Sequence, residues 1–259
     1  MRKIVFMMLL LAASLITTAA CAVSVKFKSP DMGSDGNPIT LTGKLTKPMG
    51  DGPFPALVLL HGSGGVNARR DADWVKRLTK WGYVTLQADS FGPRGASVSS
   101  VIKNPFRVSH TTRAKDAHGA RYYLSELPYV DSDRIAVMGW SHGGLSTIVS
   151  VKEAYGGESF KAAIAFYPYC AYSMNWLKAP LLILIGKADD WCPASKCAYM
   201  MPPGKTKHEV ILKIYPGAHH DFDWKGINRM VKGHRVQYNS EAAADAILRV
   251  KNFLARHLE

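Results

Sequence analysis

A serine flanked by glycines follows a short apolar run in the stretch Arg134 to Gly144, R-I-A-V-M-G-W-S-H-G-G. Ser141 stands at the centre of the pattern G-x-S-x-G, formed by Gly139, Trp140, Ser141, His142 and Gly143. A serine hydroxyl becomes a useful nucleophile only when a neighbouring imidazole can take its proton. The chemistry implied is therefore acyl transfer, provided that the chain also supplies a base, an acid to orient it, and N–H donors for an oxyanion. Ile135 to Met138 reads as a buried strand, bounded before it by the polar turn Val130-Asp131-Ser132-Asp133. Leu145 to about Ala154 reads as a helix whose N-terminus points its partial positive charge at the serine. A strand turning this sharply into a helix, with serine at the apex, is a nucleophile elbow. The flanking glycines fit it, because side chains there would clash where strand and helix converge.

Candidates for the other roles lie further along the chain. After the apolar run Leu181 to Ile185 comes Gly186-Lys187-Ala188-Asp189-Asp190-Trp191. Asp189, the first carboxylate past the strand and turn, is the expected acid, with Asp190 pointing away. After Glu209 to Tyr215 comes Pro216-Gly217-Ala218-His219-His220-Asp221-Phe222. His219 and His220 face opposite ways in an extended backbone, so the residues alone leave the base open between them. His61-Gly62-Ser63-Gly64-Gly65 follows another apolar run. Its expected contribution is the N–H of Ser63 or Gly64, paired with the backbone N–H of His142, as an oxyanion hole. The loop lacks a following Gly-Lys-Ser/Thr and so fails as a phosphate-binding loop. His61 itself reads as structural. His219 to Asp223, His-His-Asp-x-Asp, offers metal-type ligands, but no cluster elsewhere would complete a site. No cofactor is expected. Arg94 is a candidate partner for an acidic substrate, or equally for a structural ion pair, and Trp191 a candidate pocket wall.

Alternating strands and helices must position these residues. Val23 to Lys28 and Ile39 to Thr46 alternate apolar and polar residues, as edge strands do. Buried strands are expected at Phe54 to Leu60, Tyr83 to Ala88, Phe160 to Phe166 and Leu181 to Ile185, with Glu209 to Tyr215 the last. Helical spacing appears over Arg70 to Trp81, Thr111 to Leu127, Pro193 to Met201 and Ser240 to His257. Gly92 to about His110, rich in Gly, Ser and Pro, reads as a long loop. The pattern predicts a mostly parallel, doubly wound sheet flanked by helices, with its site at the carboxyl ends of the strands.

The chain opens Met1-Arg2-Lys3, continues apolar from Ile4 to Ile16, and then turns small-sided up to Ala22. This is the pattern of a secretory signal peptide over residues 1–22, with cleavage after Ala20 or Ala22. Export, to a bacterial periplasm, is the expectation. Cys21 raises lipidation as an alternative, although Thr18 stands where a lipoprotein signal usually has leucine. The remaining residues, 23–259, suit one α/β domain. With 47% hydrophobic and 20% charged residues the composition is that of a globular enzyme. The formal charge of +13, or +11 without Arg2 and Lys3, comes from scattered residues with no basic run, so no nucleic-acid partner is expected. No stable membrane partner is expected unless Cys21 is lipidated, and the chain is expected as a monomer or small homo-oligomer. In an oxidising compartment one disulfide among Cys170, Cys192 and Cys197 is plausible, its pairing open.

With these residues in place the sequence resembles the dienelactone hydrolase family of α/β-hydrolases. The stretches that carry the resemblance are Asp89 to Gly95, Gly139 to Gly144, Phe166-Tyr167-Pro168, Gly186 to Trp191 and Tyr215 to Phe222. It implies the α/β-hydrolase fold, with a triad in the order serine, acid, histidine. The family's histidine stands two residues before phenylalanine, which matches His220, and its acid matches Asp189. Only about a dozen residues separate the strands at Phe166 and Leu181, which leaves no room for a large cap domain. The best-known members carry cysteine at the elbow where this chain has Ser141. The implied activity is therefore that of a serine hydrolase acting on a small carboxylic ester or lactone. Short-peptide hydrolysis on the same triad and a non-catalytic binding protein are the alternatives.

Overall fold

Five runs of apolar residues, too short and too branched for helices, build the middle of the molecule. The computed structural model describes residues 22–33, 35–152, 158–204 and 206–259. The leader-like residues 1–21, Cys21 among them, and the expected end of the elbow helix near Ala154 lie outside the described residues. Ten strands and six α-helices are described: β1 (Ala22–Met32), β2 (Pro38–Thr46), β3 (Phe54–Leu60), α1 (Ala68–Lys80), β4 (Val84–Asp89), α2 (Val98–Lys103), α3 (His110–Ser125), β5 (Val130–Trp140), α4 (His142–Ser150), β6 (Ala163–Phe166), β7 (Leu181–Gly186), α5 (Ala194–Met200), β8 (Val210–Tyr215), β9 (Asn228–Val231), β10 (His234–Gln237) and α6 (Ser240–Leu258).

Eight strands form one sheet in the order β1-β2-β4-β3-β5-β6-β7-β8. β1, β2 and β4 pair antiparallel at one edge, and every pairing from β4 through β3 to β8 is parallel. This is the mostly parallel α/β-hydrolase sheet flanked by helices, and the described residues include no large cap. The order reverses at β3: the chain steps outward to β4, then returns to β5 on the other side. Such a reversal opens a crevice at the carboxyl ends of the two strands. There the His61–Gly65 loop leaves β3 and Ser141 leaves β5. β5, β6 and β7 are buried on both faces, as parallel strands under helices are, and α3 packs on α4.

Three expectations need correction. The 92–110 stretch is not all loop: a 3₁₀ turn at Gly92–Arg94 and the two-turn α2 lie in it. The side chain of Ser97 caps α2 by accepting from the Ser100 N–H at 3.2 Å, and Val98, Val101 and Ile102 stand at helical spacing, with Val101 buried. The residues taken as a polar turn, Val130 to Asp133, belong to β5. β8 is not the last strand: β9 and β10 form a separate antiparallel hairpin between His220 and α6. Among the cysteines, Cys170 bonds Cys197 and Cys192 stays a buried thiol.

Candidate active site

Ser141 is the single residue between β5 and α4, with φ 54° and ψ −115°. A side-chain-bearing residue seldom sits at positive φ, so the surroundings must hold it there. Its N–H donates to the Phe166 carbonyl at 2.9 Å. A Cβ on Gly139 would lie 2.4 Å from the Gly143 carbonyl oxygen, and one on Gly143 would lie 2.1 Å from that of Leu60, so both must be glycine. Ser141 is half-buried while its neighbours on either side are buried, which leaves it as the accessible group of the elbow. The helix begins at His142, three residues before the sequence expectation. The His142 N–H is thus in the first turn, without an intrahelical acceptor.

The Ser141 hydroxyl donates to His220 Nε2 at 2.9 Å, and His220 Nδ1–H donates to Asp189 Oδ2 at 2.7 Å. The structure therefore brings Ser141, His220 and Asp189 into one chain of hydrogen bonds. His220 and Asp189 are both about 3% exposed. The second Asp189 oxygen accepts from the N–H groups of Trp191 at 3.0 Å and Cys192 at 2.8 Å. Those two donors fix the carboxylate plane. Burial alone would lower the His220 pKa. The neighbouring Cys192 and the hydrogen-bonded Asp189 carboxylate more than offset burial and hold it well above the ordinary histidine value. Burial pushes the Cys192 thiol up in turn. Asp190 points elsewhere, 3.5 Å from His234 Nδ1. His219 takes no part in the chain of bonds.

Opposite the base, the β3 loop lies against the elbow: a Cβ on Gly62 would sit 3.6 Å from that of Ser141. The Gly65 N–H closes the loop onto the Gly62 carbonyl at 3.1 Å, with Ser63 and Gly64 between. His61 is structural, as its position suggests. Its Nδ1 bonds the Gly62 carbonyl at 2.8 Å, its Nε2 accepts from the Ser90 N–H at 3.4 Å, and its ring meets the edge of Phe91. Desolvation keeps it neutral.

Trp191 lies beside the base, its ring 5.3 Å from that of His220 and stacked on His234 at 5.1 Å. Arg94 takes the structural one of its two expected roles. It forks onto Asp116 at 2.8 and 2.9 Å, reaches Asp31 at 3.2 Å and the Ser90 carbonyl at 2.9 Å, so its donors are turned into the protein. Asp223, weighed as a metal ligand, instead accepts from Trp74 Nε1 at 2.7 Å, Trp140 Nε1 at 3.1 Å and the Tyr167 hydroxyl at 2.7 Å. The Tyr167 ring packs on His220 at 4.6 Å. Among the described residues no group of three or more His, Cys, Asp or Glu is arranged to hold a metal ion. Sequence reasoning missed this Asp223 anchor, and it missed the hairpin that holds the base: the Gln237 N–H donates to the His220 carbonyl at 3.0 Å. The only signal for the anchor was a carboxylate three residues beyond His220.

An eight-stranded sheet with a serine elbow, a histidine and a buried aspartate at its carboxyl edge defines an α/β-hydrolase. The dienelactone hydrolase family model matches residues 41–258, and the chain belongs to that family. A putative carboxymethylenebutenolidase of Synechocystis sp. is 26% identical over 243 residues, covering 85% of this chain and 94% of the relative. The crystal structure of a putative dienelactone hydrolase from Klebsiella pneumoniae superposes with a TM-score of 0.71 at 20% identity, covering 91% of this chain and 99% of that one. A shorter similarity, 29% over 121 residues, links 44% of the chain to 13% of a probable dipeptidyl-aminopeptidase B of Paracoccidioides lutzii. The protein is a hydrolase of the dienelactone hydrolase type.

Proposed function

We propose that the chain is an exported serine hydrolase that cleaves a small carboxylic ester or lactone through an acyl-enzyme. The observation that carries this reading is the chain Ser141–His220–Asp189 at 2.9 and 2.7 Å, with its acid end buried and its serine end accessible. Ser141 Oγ attacks the ester carbonyl while His220 Nε2 takes the hydroxyl proton. Asp189 holds the Nδ1–H tautomer and stabilises the imidazolium that forms. The His142 N–H and that of Ser63 or Gly64 receive the negative charge on the carbonyl oxygen. Collapse of the tetrahedral intermediate breaks the ester C–O bond, and the imidazolium returns its proton to the leaving alkoxide. Water, deprotonated by the same imidazole, then releases the acid. In a lactone the leaving alkoxide stays tethered to the acyl group, so a single product results.

Export is supported by the leader-like composition of residues 1–22 and by the Cys170–Cys197 bridge, which suits an oxidising compartment. Peptide hydrolysis on the same groups is a second reading, favoured by the partial similarity to a dipeptidyl-aminopeptidase. A fluorophosphonate probe and paired substrates test both readings. The expected result is labelling at Ser141, turnover of p-nitrophenyl acetate, and loss of both in Ser141→Ala. Faster turnover of a dipeptide anilide than of the ester would select the peptidase. Folded protein that takes no label would sink the hydrolytic mechanism and leave a binding protein.

A further inference from the structure

Among the described residues the most deeply buried cation lies behind the elbow and takes no part in the proton relay. Arg113, on α3, is 0% exposed. Its Nη1 donates to His142 Nδ1 at 2.7 Å and its Nη2 to the His61 carbonyl at 2.6 Å. Its guanidinium carbon stands 5.1 Å from the centre of the Phe91 ring, and its Nε has no hydrogen-bond partner. No carboxylate is hydrogen-bonded to it. Asp116, one turn along the same helix, is already engaged by Ser29 and by both Nη atoms of Arg94. Buried arginines held for stability alone are normally paired with a carboxylate, because an unpaired buried charge is strongly unfavourable. This one is bonded only to neutral acceptors, and they belong to two particular residues. His142 carries one N–H of the oxyanion hole. His61 opens the loop that carries the other.

We propose that Arg113 is a positioning residue for the oxyanion hole: it clamps the His142 side and the His61–Gly65 side together and sets behind them a positive charge to which no carboxylate is hydrogen-bonded. The proposal rests on the serine hydrolase reading above. It explains a bond pattern that is otherwise without a reason. The His142 ring receives Arg113 at Nδ1, while its Nε2–H donates to the Pro105 carbonyl at 2.9 Å. Both ring nitrogens of His142 are thus used, the ring is locked, and so is the backbone of the residue after the nucleophile. Burial first, and then the charge of Arg113, depress the His142 pKa to about 3, so the ring stays neutral and the acceptor at Nδ1 persists. The other arginines near enough to act on the hole have partners: Arg94 has Asp116 and Asp31, and Arg70 has Asp71 at 2.9 Å. The charge left to meet a developing oxyanion is that of Arg113. In a low-dielectric interior such a fixed charge acts on the transition state more strongly than on the neutral ester, so the expected effect falls on kcat.

The groups facing Arg113 are Asp116 on its own helix, Arg94 on the 3₁₀ turn, Asp89 at the end of β4, Arg70 on α1, His61 after β3 and His142 on α4. Burial lowers its pKa to about 9, with Asp116 and Asp89 acting against the fall and Arg94 and Arg70 adding to it.

The test uses p-nitrophenyl acetate with wild type, Ser141→Ala, Arg113→Met and Arg113→Lys, with folding followed by circular dichroism. The expected result is a kcat for Arg113→Met lower by about 100-fold with KM changed less than about threefold, the size of losing one oxyanion donor. Arg113→Lys, which keeps the charge and one contact, should recover at least about tenfold of that loss. A folded Arg113→Met with kcat within about threefold of wild type overturns the proposal. If that variant does not fold, an Arg113→Lys whose KM changes while its kcat stays within about threefold of wild type overturns it instead. Activity that survives in Ser141→Ala refutes the serine mechanism itself, whatever the Arg113 variants do.

Discussion

Replacing Asp189 by asparagine changes one atom and should stop the reaction. The reason lies in what holds the carboxylate. Oδ1 accepts two backbone N–H groups, from Trp191 and Cys192, so only an oxygen can occupy that place; an amide nitrogen there would set donor against donor. The asparagine amide must therefore turn its NH₂ toward His220 Nδ1, where Asp189 Oδ2 now accepts at 2.7 Å. Facing a donor, Nδ1 gives up its proton, and the imidazole carries hydrogen at Nε2 instead. That nitrogen stands 2.9 Å from Ser141 Oγ and can then only donate to it. Serine has lost its base, although no atom has moved. A wrong-tautomer histidine of this kind lowers kcat by about 10⁴, or roughly 5 kcal/mol in the barrier. KM and the thermal midpoint should hardly change, because the substitution is isosteric and keeps both backbone bonds. The assay is steady-state hydrolysis of p-nitrophenyl acetate together with the rate of fluorophosphonate labelling. Asp190→Asn is the control: its carboxylate is exposed and faces His234, and its kcat should stay within about twofold of wild type. Asp189→Asn that kept a tenth of wild-type kcat, or a larger loss in Asp190→Asn, would refute the tautomer argument.

Other consequences can be measured directly. His220 must be neutral to act as base, and its pKa is held above the ordinary histidine value, so kcat/KM should rise with pH through a midpoint above about 6.5; a plateau already reached at about pH 6 would contradict this. Gly143→Ala places a methyl group 2.1 Å from the Leu60 carbonyl oxygen, backbone that cannot turn aside. It should cost about 1–3 kcal/mol in denaturant unfolding and most of the activity, and an unchanged midpoint would count against the packing described. The Cys170–Cys197 bridge closes a loop with a sequence separation of 27, so Cys197→Ser should lose about 3 kcal/mol of stability. Reduction of the wild type should produce a similar loss, measured by unfolding with and without dithiothreitol.

The legible parts of this chain are those in which local sequence and tertiary role agree. Phe54 to Leu60 is apolar without a break because its residues from Ala56 on are buried on both faces, and its strand bounds match the sequence reading. Ser141 is legible because the elbow demands glycine around it. What was not legible depends on partners remote in sequence. Asp189 and Asp190 are chemically identical neighbours, and only the fold decides which of them meets His220. Arg94 could have faced substrate or protein, and Asp116, 22 residues away, decides that. The β9–β10 hairpin, with Arg229, Lys232, His234 and Arg235 in or beside its strands, carries too little apolar alternation to announce itself. Its strand character comes from pairing, and from the docking of Gln237 on His220. α2 is too short, at six residues, for its three apolar positions to stand out from the Gly-, Ser- and Pro-rich stretch around it.

The carboxylate of Asp223 ties four separate segments of the chain into a single knot. Trp140 immediately precedes Ser141, Tyr167 leans on His220, Trp74 comes from α1, and Asp223 itself lies three residues beyond His220. Serine and histidine are therefore fastened to each other from behind as well as across the hydrogen bond between them. A fluctuation that lifts the histidine segment must also pull on the indole beside the serine, so the two reactive groups share one motion. Slow exchange of the amides on both segments, with one common opening free energy, is the dynamic signature of such a clasp. Substrates can come and go at the open side of Ser141 without loosening it.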